Sequence, residues 1–66
     1  MYDNLTARHK RILRRLANGQ STDQIRRGML FAERTIKNDI SAMFVIFGVK
    51  NRTALVAKAL RAGVIE

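Results

Sequence analysis

Residues 32–48 read AERTIKNDISAMFVIFG, and this run decides the fold of the chain. Its apolar side chains recur at the spacing of one face of a helix with 3.6 residues per turn. They are Ile36, Ile40, Met43, Phe44 and Phe47. Such a stripe is expected to be buried, and Gly48 is expected to end the helix in a left-handed cap.

The opposite face of this predicted helix is polar and carries Arg34, Lys37, Asn38 and Ser41. Lysine and arginine suit phosphates and guanine edges, asparagine suits adenine edges, and serine suits either groove atoms or phosphate. We therefore interpret the run as a DNA-reading helix, with the rest of the chain as its support.

The composition of the chain favours an anionic partner. Its 66 residues include 13 Lys and Arg against 5 Asp and Glu, which gives a formal net charge of +8. Nucleic acid, here double-stranded DNA, is the leading candidate partner for so basic a chain. The apolar fraction of 47% argues against disorder, and the length allows one small domain, residues 1–66.

The sequence lacks the groups that most catalytic and metal sites require. It contains no Cys, and its single His cannot build a zinc site unaided. A Gly-rich phosphate loop, a paired-carboxylate set and a nucleophile motif are also missing. We expect no enzyme activity, cofactor, metal or small-molecule ligand. His9 is expected to be structural, because the sequence implies no partner acid for it.

Two features of the sequence bear on its location. No apolar run approaches the ~20 residues of a membrane span, so no membrane partner is expected. Residues 1–4 lack the basic and apolar regions of a signal peptide. A cytoplasmic location is the resulting expectation.

A first helix is predicted over about residues 7–17, where Thr6 is a good N-cap and Asn18-Gly19 a strong stop. Its capping box is expected to be incomplete, because His9 stands where Glu or Gln would close it. The side chains expected to point inward are Ile12, Leu13, Leu16 and Ala17.

A second helix is predicted over about residues 22–28. It begins with a complete capping box, in which Ser21 is the cap and Gln24 closes the box. The turn that follows, residues 28–31, is apolar, and we expect it to be packed rather than solvated.

The remaining helices complete the chain. The main helix is predicted over about residues 33–47, with Ala32 as a poor cap. A fourth helix over about residues 52–62 begins at Asn51, and residues 64–65 are expected to fold back behind it. The sequence thus predicts an all-α domain of four helices whose second and third form a helix-turn-helix.

An ordered set of short motifs covers nearly the whole chain. In sequence order they are Leu5-Thr6-x-Arg8, Ile12-Leu13, Gly19-x-Ser21, Ile25, Glu33-Arg34-Thr35-Ile36-Lys37-Asn38, Gly48-Val49-x-Asn51-Arg52-Thr53 and Ala62-Gly63-Val64-Ile65. This set resembles the LuxR-type (GerE-like) DNA-binding domain. The resemblance implies a four-helix helix-turn-helix domain, either stand-alone or excised from a longer regulator.

The resemblance also implies site residues. It places Lys37, Asn38 and Ser41 against bases in the major groove. It places four side chains at positions that contact phosphate, namely Ser21, Thr22, Arg34 and Thr35. It implies a homodimer on inverted half-sites through the fourth helix, where the candidate contacts are Val56, Ala57 and Leu60. A bacterial protein associated with the nucleoid is the corresponding expectation.

The chain departs from the family pattern at five places. His9 replaces the usual acidic residue of the first helix, Arg26 replaces a small residue, and Ala32 replaces the usual Ser cap. Asp39 stands where His is common, and the helical wheel places it on a flank. The pair Val45-Ile46 replaces a basic or polar pair.

Val45 and Ile46 extend the apolar stripe to more residues than one core face can bury. Three interpretations stay open. Val45 touches a thymine methyl, the pair is buried by an unusual packing of terminal residues, or the pair is a protein-binding patch.

Two functions are therefore weighed. The first is a sequence-specific transcription regulator that binds DNA as a dimer. The alternative is a sensor-less interaction module that forms a heterodimer with another regulator through Val45, Ile46 and the fourth helix, and so modulates it.

Overall fold

The structure, a computed structural model, describes Tyr2 and residues 4–66. Met1 and Asp3, which belong to the predicted domain and to the N-terminal stretch compared with signal peptides, lie outside the described residues. The regular elements of the described part are four helices, α1 (Ala7–Ala17), α2 (Thr22–Met29), α3 (Glu33–Phe47) and α4 (Arg52–Arg61). The predicted all-α fold is confirmed, with ends of α2 and α4 that differ from the expected ones by one residue.

Apolar side chains from all four helices meet in the core. Helix α1 packs against each of the other three, and α3 packs against α1, α2 and α4. The buried apolar residues are Ile12, Leu13, Leu16, Ile25, Met29, Ile36, Ile40, Met43, Phe47, Leu55, Ala59 and Ile65. The stripe predicted for the third helix is thus buried, with Phe44 half-buried at its edge. Burial of each large side chain contributes about 1.5–3 kcal/mol, which makes this core the main stabilising feature.

The start of α1 corrects one expectation. Thr6 Oγ1 accepts a hydrogen bond from the His9 backbone N–H at 3.0 Å, and His9 Nδ1 accepts one from the Thr6 N–H at 3.2 Å. The capping box that was expected to be incomplete is therefore closed. An unprotonated imidazole nitrogen is an acceptor, so it replaces the Glu or Gln oxygen that usually completes this motif.

The other helix starts follow the predicted pattern. Ser21 Oγ accepts from the Gln24 N–H at 3.2 Å, and Gln24 Oε1 accepts from the Ser21 N–H at 2.8 Å. Asn51 Oδ1 accepts from the Ala54 N–H at 2.8 Å at the start of α4. Ala32 gives α3 no side-chain cap, so the start of α3 depends on tertiary contacts.

The end of α3 is tied to the rest of the domain. Gly48 ends the helix with a left-handed φ of 67°. Lys58 Nζ of α4 donates to the Phe47 carbonyl at 2.7 Å, which places a cation at the negative end of the helix dipole. The Tyr2 ring stacks on the Phe47 ring with centroids 4.4 Å apart. These contacts fix the C-terminal half of α3.

Two expectations about buried residues are wrong. Ala17 on α1 is exposed. The turn between α2 and α3 is packed only in part, because Phe31 is half-buried but Leu30 is 89% exposed. Leu30 caps α2 in the left-handed region with φ of 58°, and this backbone turn leaves its side chain in solvent.

The substitution Leu30→Gly is expected to stabilise the domain by about 0.5–1 kcal/mol. A left-handed conformation costs an L-residue about 1–2 kcal/mol, and this exceeds the about 0.4–1 kcal/mol that glycine costs through unfolded-state entropy. Urea denaturation followed by far-UV circular dichroism measures the change. Gly19→Leu is the reverse control and should destabilise, because Gly19 has φ of 79° and open space around it. A less stable Leu30→Gly variant would show that the leucine makes a stabilising contact.

No single helix among the described residues is long and apolar enough to cross a membrane. Helices α3 and α4 reach that length and composition together, but the pair is bent by 57° at its break. Tyr2 and residues 4–66 likewise hold no group of three or more His, Cys, Asp or Glu side chains placed to bind a metal ion.

Candidate nucleic-acid interface

The outward side of α3 carries three of the polar side chains predicted to lie opposite the core stripe. Lys37, Asn38 and Ser41 are all exposed and follow one another along the same side of the helix. Ile36 and Ile40 point the other way and are 0% and 4% exposed. Because Ile36 and Ile40 face the core, Lys37, Asn38 and Ser41 form one outward surface, which we call the polar face.

Arg34 and Thr35 lie in the first turn of α3. Arg34 is exposed and shares the direction of the polar face, one turn before Asn38. Thr35 is half-buried on the flank of the helix. An exposed cation at the position of Arg34 has the chemistry of a phosphate contact.

The start of α2 offers a different set of donors. Ser21 is exposed, and its Oγ accepts from the Gln24 N–H, which leaves the hydroxyl proton free to donate. Thr22 is only 8% exposed, and its Oγ1 accepts a hydrogen bond from Arg52 Nη2. What Thr22 can offer an anion is its backbone N–H, since the first N–H groups of a helix have no helical acceptor.

Arg52 is a functional candidate that sequence reasoning missed. It stands at the start of α4, is exposed, and donates to Thr22 at the start of α2. It also lines a shallow groove against α3 whose other walls are Lys37, Ile40, Ser41 and Phe44. Its guanidinium thus connects the start of α2 with the polar face. The motif Asn51-Arg52-Thr53 was visible in the sequence, but helical periodicity gives no partner for a residue at a helix start.

Several cations near this surface have exposed carboxylate partners. Asp23 Oδ1 lies 2.8 Å from Arg26 Nη2, and Asp23 Oδ2 lies 2.8 Å from Arg27 Nη2. The hydrogen bond from Arg26, together with the charge of Arg27, lowers the pKa of the Asp23 carboxyl. Lys37 Nζ lies 3.5 Å from Glu33 Oε1. Exposed pairs of this kind contribute about 0–1 kcal/mol, so they hold these cations only weakly.

Asp39 lies on a flank of α3 that α1 covers, and it is buried there. Its Oδ2 accepts from Arg8 Nε at 2.5 Å and its Oδ1 from Arg8 Nη2 at 3.0 Å, while His9 Nε2 lies 3.6 Å from Oδ1. The hydrogen bonds and the charge of Asp39 raise the pKa of the Arg8 guanidinium. The Asp39 charge is thus neutralised from α1. The expectation that His9 has no partner acid is wrong, because α3 supplies one.

The pair Val45 and Ile46 is split by the fold. Val45 is 82% exposed and continues the direction of the polar face toward the end of α3. Ile46 is half-buried and packed against the core. Packing against the core therefore explains part of the apolar surface of Ile46. The thymine-contact and protein-patch interpretations both depend on Val45.

The candidate dimer residues lie on α4. Val56 and Ala57 are half-buried, and Leu60 is 45% exposed. Val56 also lines a groove between α1 and α4, beside Leu16. Leu60 therefore offers the most free apolar surface of the three.

The family model for bacterial regulatory proteins of the luxR family matches residues 3–59. The chain is 32% identical over 62 residues to the spore germination protein GerE of Bacillus subtilis, a match that covers 94% of this chain and 84% of GerE. The solved structure of the transcription factor GerE superposes with a TM-score of 0.89 at 31% identity, covering 94% of this chain and 92% of that one.

A second relative is much longer than the part that matches. The chain is 34% identical over 62 residues to the probable transcriptional regulatory protein NarL of Mycobacterium tuberculosis, covering 94% of this chain but 29% of NarL. The family match, the GerE sequence and the GerE fold all agree with the helix-turn-helix described above. The chain therefore belongs to the luxR family of bacterial regulatory proteins and is a DNA-binding domain of that family.

Proposed function

We propose that this chain binds double-stranded DNA sequence-specifically and regulates transcription, with α3 inserted in the major groove. The observation that carries the proposal is the polar face, which is exposed on the side of α3 opposite the core. The major groove of B-DNA admits an α-helix and displays a distinct donor and acceptor pattern for each base pair. The net charge of +8 supplies the sequence-independent attraction.

Each side chain of the polar face has a chemical role in this proposal. Lys37 donates to guanine O6 or N7, Asn38 pairs with adenine N6 and N7, and Ser41 donates to a groove acceptor. Phosphate contacts are assigned to Ser21, Thr22, Arg34 and Thr35, with Thr22 acting through its backbone N–H. Arg52 is added to this phosphate set, because it contacts Thr22 and lines the groove beside Lys37.

Selection of bound duplexes from a random DNA pool tests the proposal most directly. Enrichment of a defined sequence supports base reading by α3, and enrichment of two inverted copies supports dimeric binding. If the DNA pool selected with the wild-type chain stays random after repeated rounds at moderate salt, sequence-specific reading is contradicted. The salt concentration is held fixed throughout, because the phosphate contribution to affinity changes steeply with salt.

Dimerisation through α4 belongs to the same proposal. Leu60 leaves apolar surface free on α4, beside half-buried Val56 and Ala57. Two copies joined there would present their α3 helices to adjacent half-sites about 34 Å apart. Such a homodimer would act on DNA in the bacterial cytoplasm, at the nucleoid.

The substitution Leu60→Glu is expected to weaken self-association about tenfold and to abolish cooperative binding to paired half-sites. A carboxylate in an apolar contact loses hydration without gaining a partner. Sedimentation with and without DNA measures both effects, and binding to a single half-site should change little. Ala17→Glu makes the same charge change on an exposed position of α1 and serves as the control. Equal self-association in the two variants would contradict a dimer through α4.

The exposure of Val45 favours a second candidate function, a sensor-less module that forms a heterodimer with another regulator and modulates it. Val45→Lys distinguishes the two. If α3 reads DNA, this variant keeps its fold and binds DNA more tightly, because a cation is added beside the phosphates. If α3 is instead a protein-binding patch, the variant loses association with a full-length luxR-family regulator in a binding titration. If Val45→Lys associates with that regulator as strongly as the wild-type chain does, Val45 is not part of such a patch.

A further inference from the structure

We propose that Arg8, His9 and Asp39 form a clamp between α1 and α3 that sets the orientation of the polar face, and that base recognition depends on it. These residues are positioning residues, since they act through Lys37 and Asn38. The proposal rests on the proposed function only for its DNA readout. We call the three residues the α1–α3 clamp.

The clamp is defined by three contacts to one carboxylate. Arg8 binds Asp39 through two nitrogens, with Nε 2.5 Å from Oδ2 and Nη2 3.0 Å from Oδ1. This forked arrangement fixes the direction of the carboxylate as well as its distance. His9 Nε2 stands 3.6 Å from Oδ1 on the other side. Rotation of α3 about its axis would break at least one of these contacts.

The imidazole of His9 is itself held in one orientation. Its Nδ1 accepts from the Thr6 N–H, so the ring proton lies on Nε2, the nitrogen that faces Asp39. The side chains of His9 and Asp39 are only 11% and 10% exposed. Among the described residues, no buried side-chain nitrogen or oxygen lacks a hydrogen-bond partner. His9 therefore joins the helix cap of α1, through its hydrogen bond from the Thr6 N–H, to the Asp39 carboxylate, which it approaches at 3.6 Å.

The position of Asp39 links this network to the polar face. Asp39 directly follows Asn38 and is two residues from both Lys37 and Ser41. Successive residues of a helix are separated by about 100° of rotation, so a fixed Asp39 fixes the direction of all three. Arg8 also lies over the Phe31 ring, with its Cζ 5.4 Å from the ring centroid, and so contacts the turn that leads into α3.

The N-terminal half of α3 needs such a contact more than the C-terminal half does. The C-terminal half is held by Phe47, whose ring stacks on Tyr2 and whose carbonyl accepts from Lys58. The N-terminal half carries the polar face, but its cap residue Ala32 makes no side-chain hydrogen bond. Ile36 and Ile40 anchor this half by apolar contact, which resists removal from the core better than it resists small rotation.

An imidazole on α1 and a carboxylate on α3 meet in this clamp, with His9 Nε2 3.6 Å from Asp39 Oδ1. This pairing suggests a substitution pair that exchanges the two groups between the helices. Each single change places like groups together, and the double change restores an acid beside an imidazole.

The first test uses Asp39→Asn, which keeps the shape of the side chain and removes its charge. We expect retained helicity and a changed orientation of α3 relative to α1, measured by residual dipolar couplings of backbone amides in the free protein. We expect about tenfold weaker binding to the selected duplex, with binding to random duplex nearly unchanged. Arg8→Lys, which loses the fork but keeps the charge, should give the same changes in smaller measure. Arg11→Lys is the matched control, because Arg11 is an exposed arginine of the same helix.

The second test exchanges the two residues. His9→Glu alone places two carboxylates together, and Asp39→His alone places an imidazole beside Arg8 and His9, so both should lose more than tenfold in the ratio of specific to random affinity. The double variant restores an acid and imidazole across the two helices, and should return within about threefold of the wild-type ratio. A loss of stability alone lowers both affinities by the same factor and leaves their ratio unchanged, so a recovered ratio reports the orientation of the polar face.

The outcomes separate the clamp from the proposed function. A wild-type chain without any sequence preference would contradict the proposed function, and the clamp would then be judged by the dipolar couplings alone. Unchanged couplings in Asp39→Asn would overturn the clamp. Equal losses on selected and random duplex, or additive losses in the double variant, would also overturn it.

Discussion

Replacing Lys37 by alanine is expected to weaken binding to the selected DNA site by about 1–3 kcal/mol and to relax the preference at one base pair. The ammonium lies on the exposed side of α3, and its pairing with Glu33 is an exposed one at 3.5 Å, which costs little to give up. Asn38→Ala should give a loss of similar size at a neighbouring base pair, because a bidentate amide contact with adenine is removed. Fluorescence anisotropy with a set of singly substituted duplexes measures both the loss and the relaxed position.

Arg34→Ala is the matched control for these two variants. Arg34 shares the direction of the polar face but stands at the first turn of α3, where a phosphate contact is proposed. Its removal should weaken all duplexes alike and reduce the slope of log affinity against log salt by about one unit. If Lys37→Ala behaves in this uniform way too, then Lys37 binds phosphate and the base-reading role assigned to it is wrong.

Periodicity predicted the part of this fold that depends on one helix at a time. Ile36 and Ile40 were placed inward from spacing alone, and both are buried. The caps at Ser21 and Asn51 were predicted because their bonds close within one helical turn. For the same reason the exposure of Lys37 and its neighbours on the polar face could be predicted: once a core stripe is known, the opposite face follows from geometry.

The contacts between helices could not be predicted from the sequence. Arg8 and Asp39 are separated by 31 positions, and Arg52 and Thr22 by 30. Spacing within a helix shows which side a residue occupies but not which side chain of another helix meets it there. Spacing therefore places a charged residue such as Asp39 on a flank of its helix, but it does not show whether another helix covers that flank. In the structure α1 covers it, and Asp39 is buried.

Two predictions were wrong because an unusual residue occupies a position with a common structural role. His9 completes the capping box that Glu or Gln normally completes, because its Nδ1 is an acceptor of similar reach. Leu30 was expected to be packed because it is apolar. Its left-handed backbone turn, which propensity disfavours for leucine, instead leaves it exposed.

Phe47→Ala is expected to have the largest effect on stability, about 3–5 kcal/mol. Phe47 is 2% exposed, and its ring stacks on the Tyr2 ring with centroids 4.4 Å apart. A core of this size rarely supplies more than about 3–5 kcal/mol in total, so the variant should be largely unfolded in isolation. Val45→Ala is the control two residues earlier on the same helix, and should change stability by less than about 0.5 kcal/mol because Val45 is 82% exposed.

The selected duplex turns this loss of stability into a test of function. DNA that binds only the folded chain adds about 2.7 kcal/mol of stability at a concentration 100 times its Kd. Phe47→Ala should therefore regain much of its helicity, seen by far-UV circular dichroism, when the selected duplex is added, and regain less with random duplex. A loss below about 1 kcal/mol in urea denaturation would contradict the packing described for the end of α3. If the selected and the random duplex restored the same helicity, both would stabilise the folded chain equally. The folded chain would then bind DNA through charge alone, without regard to sequence.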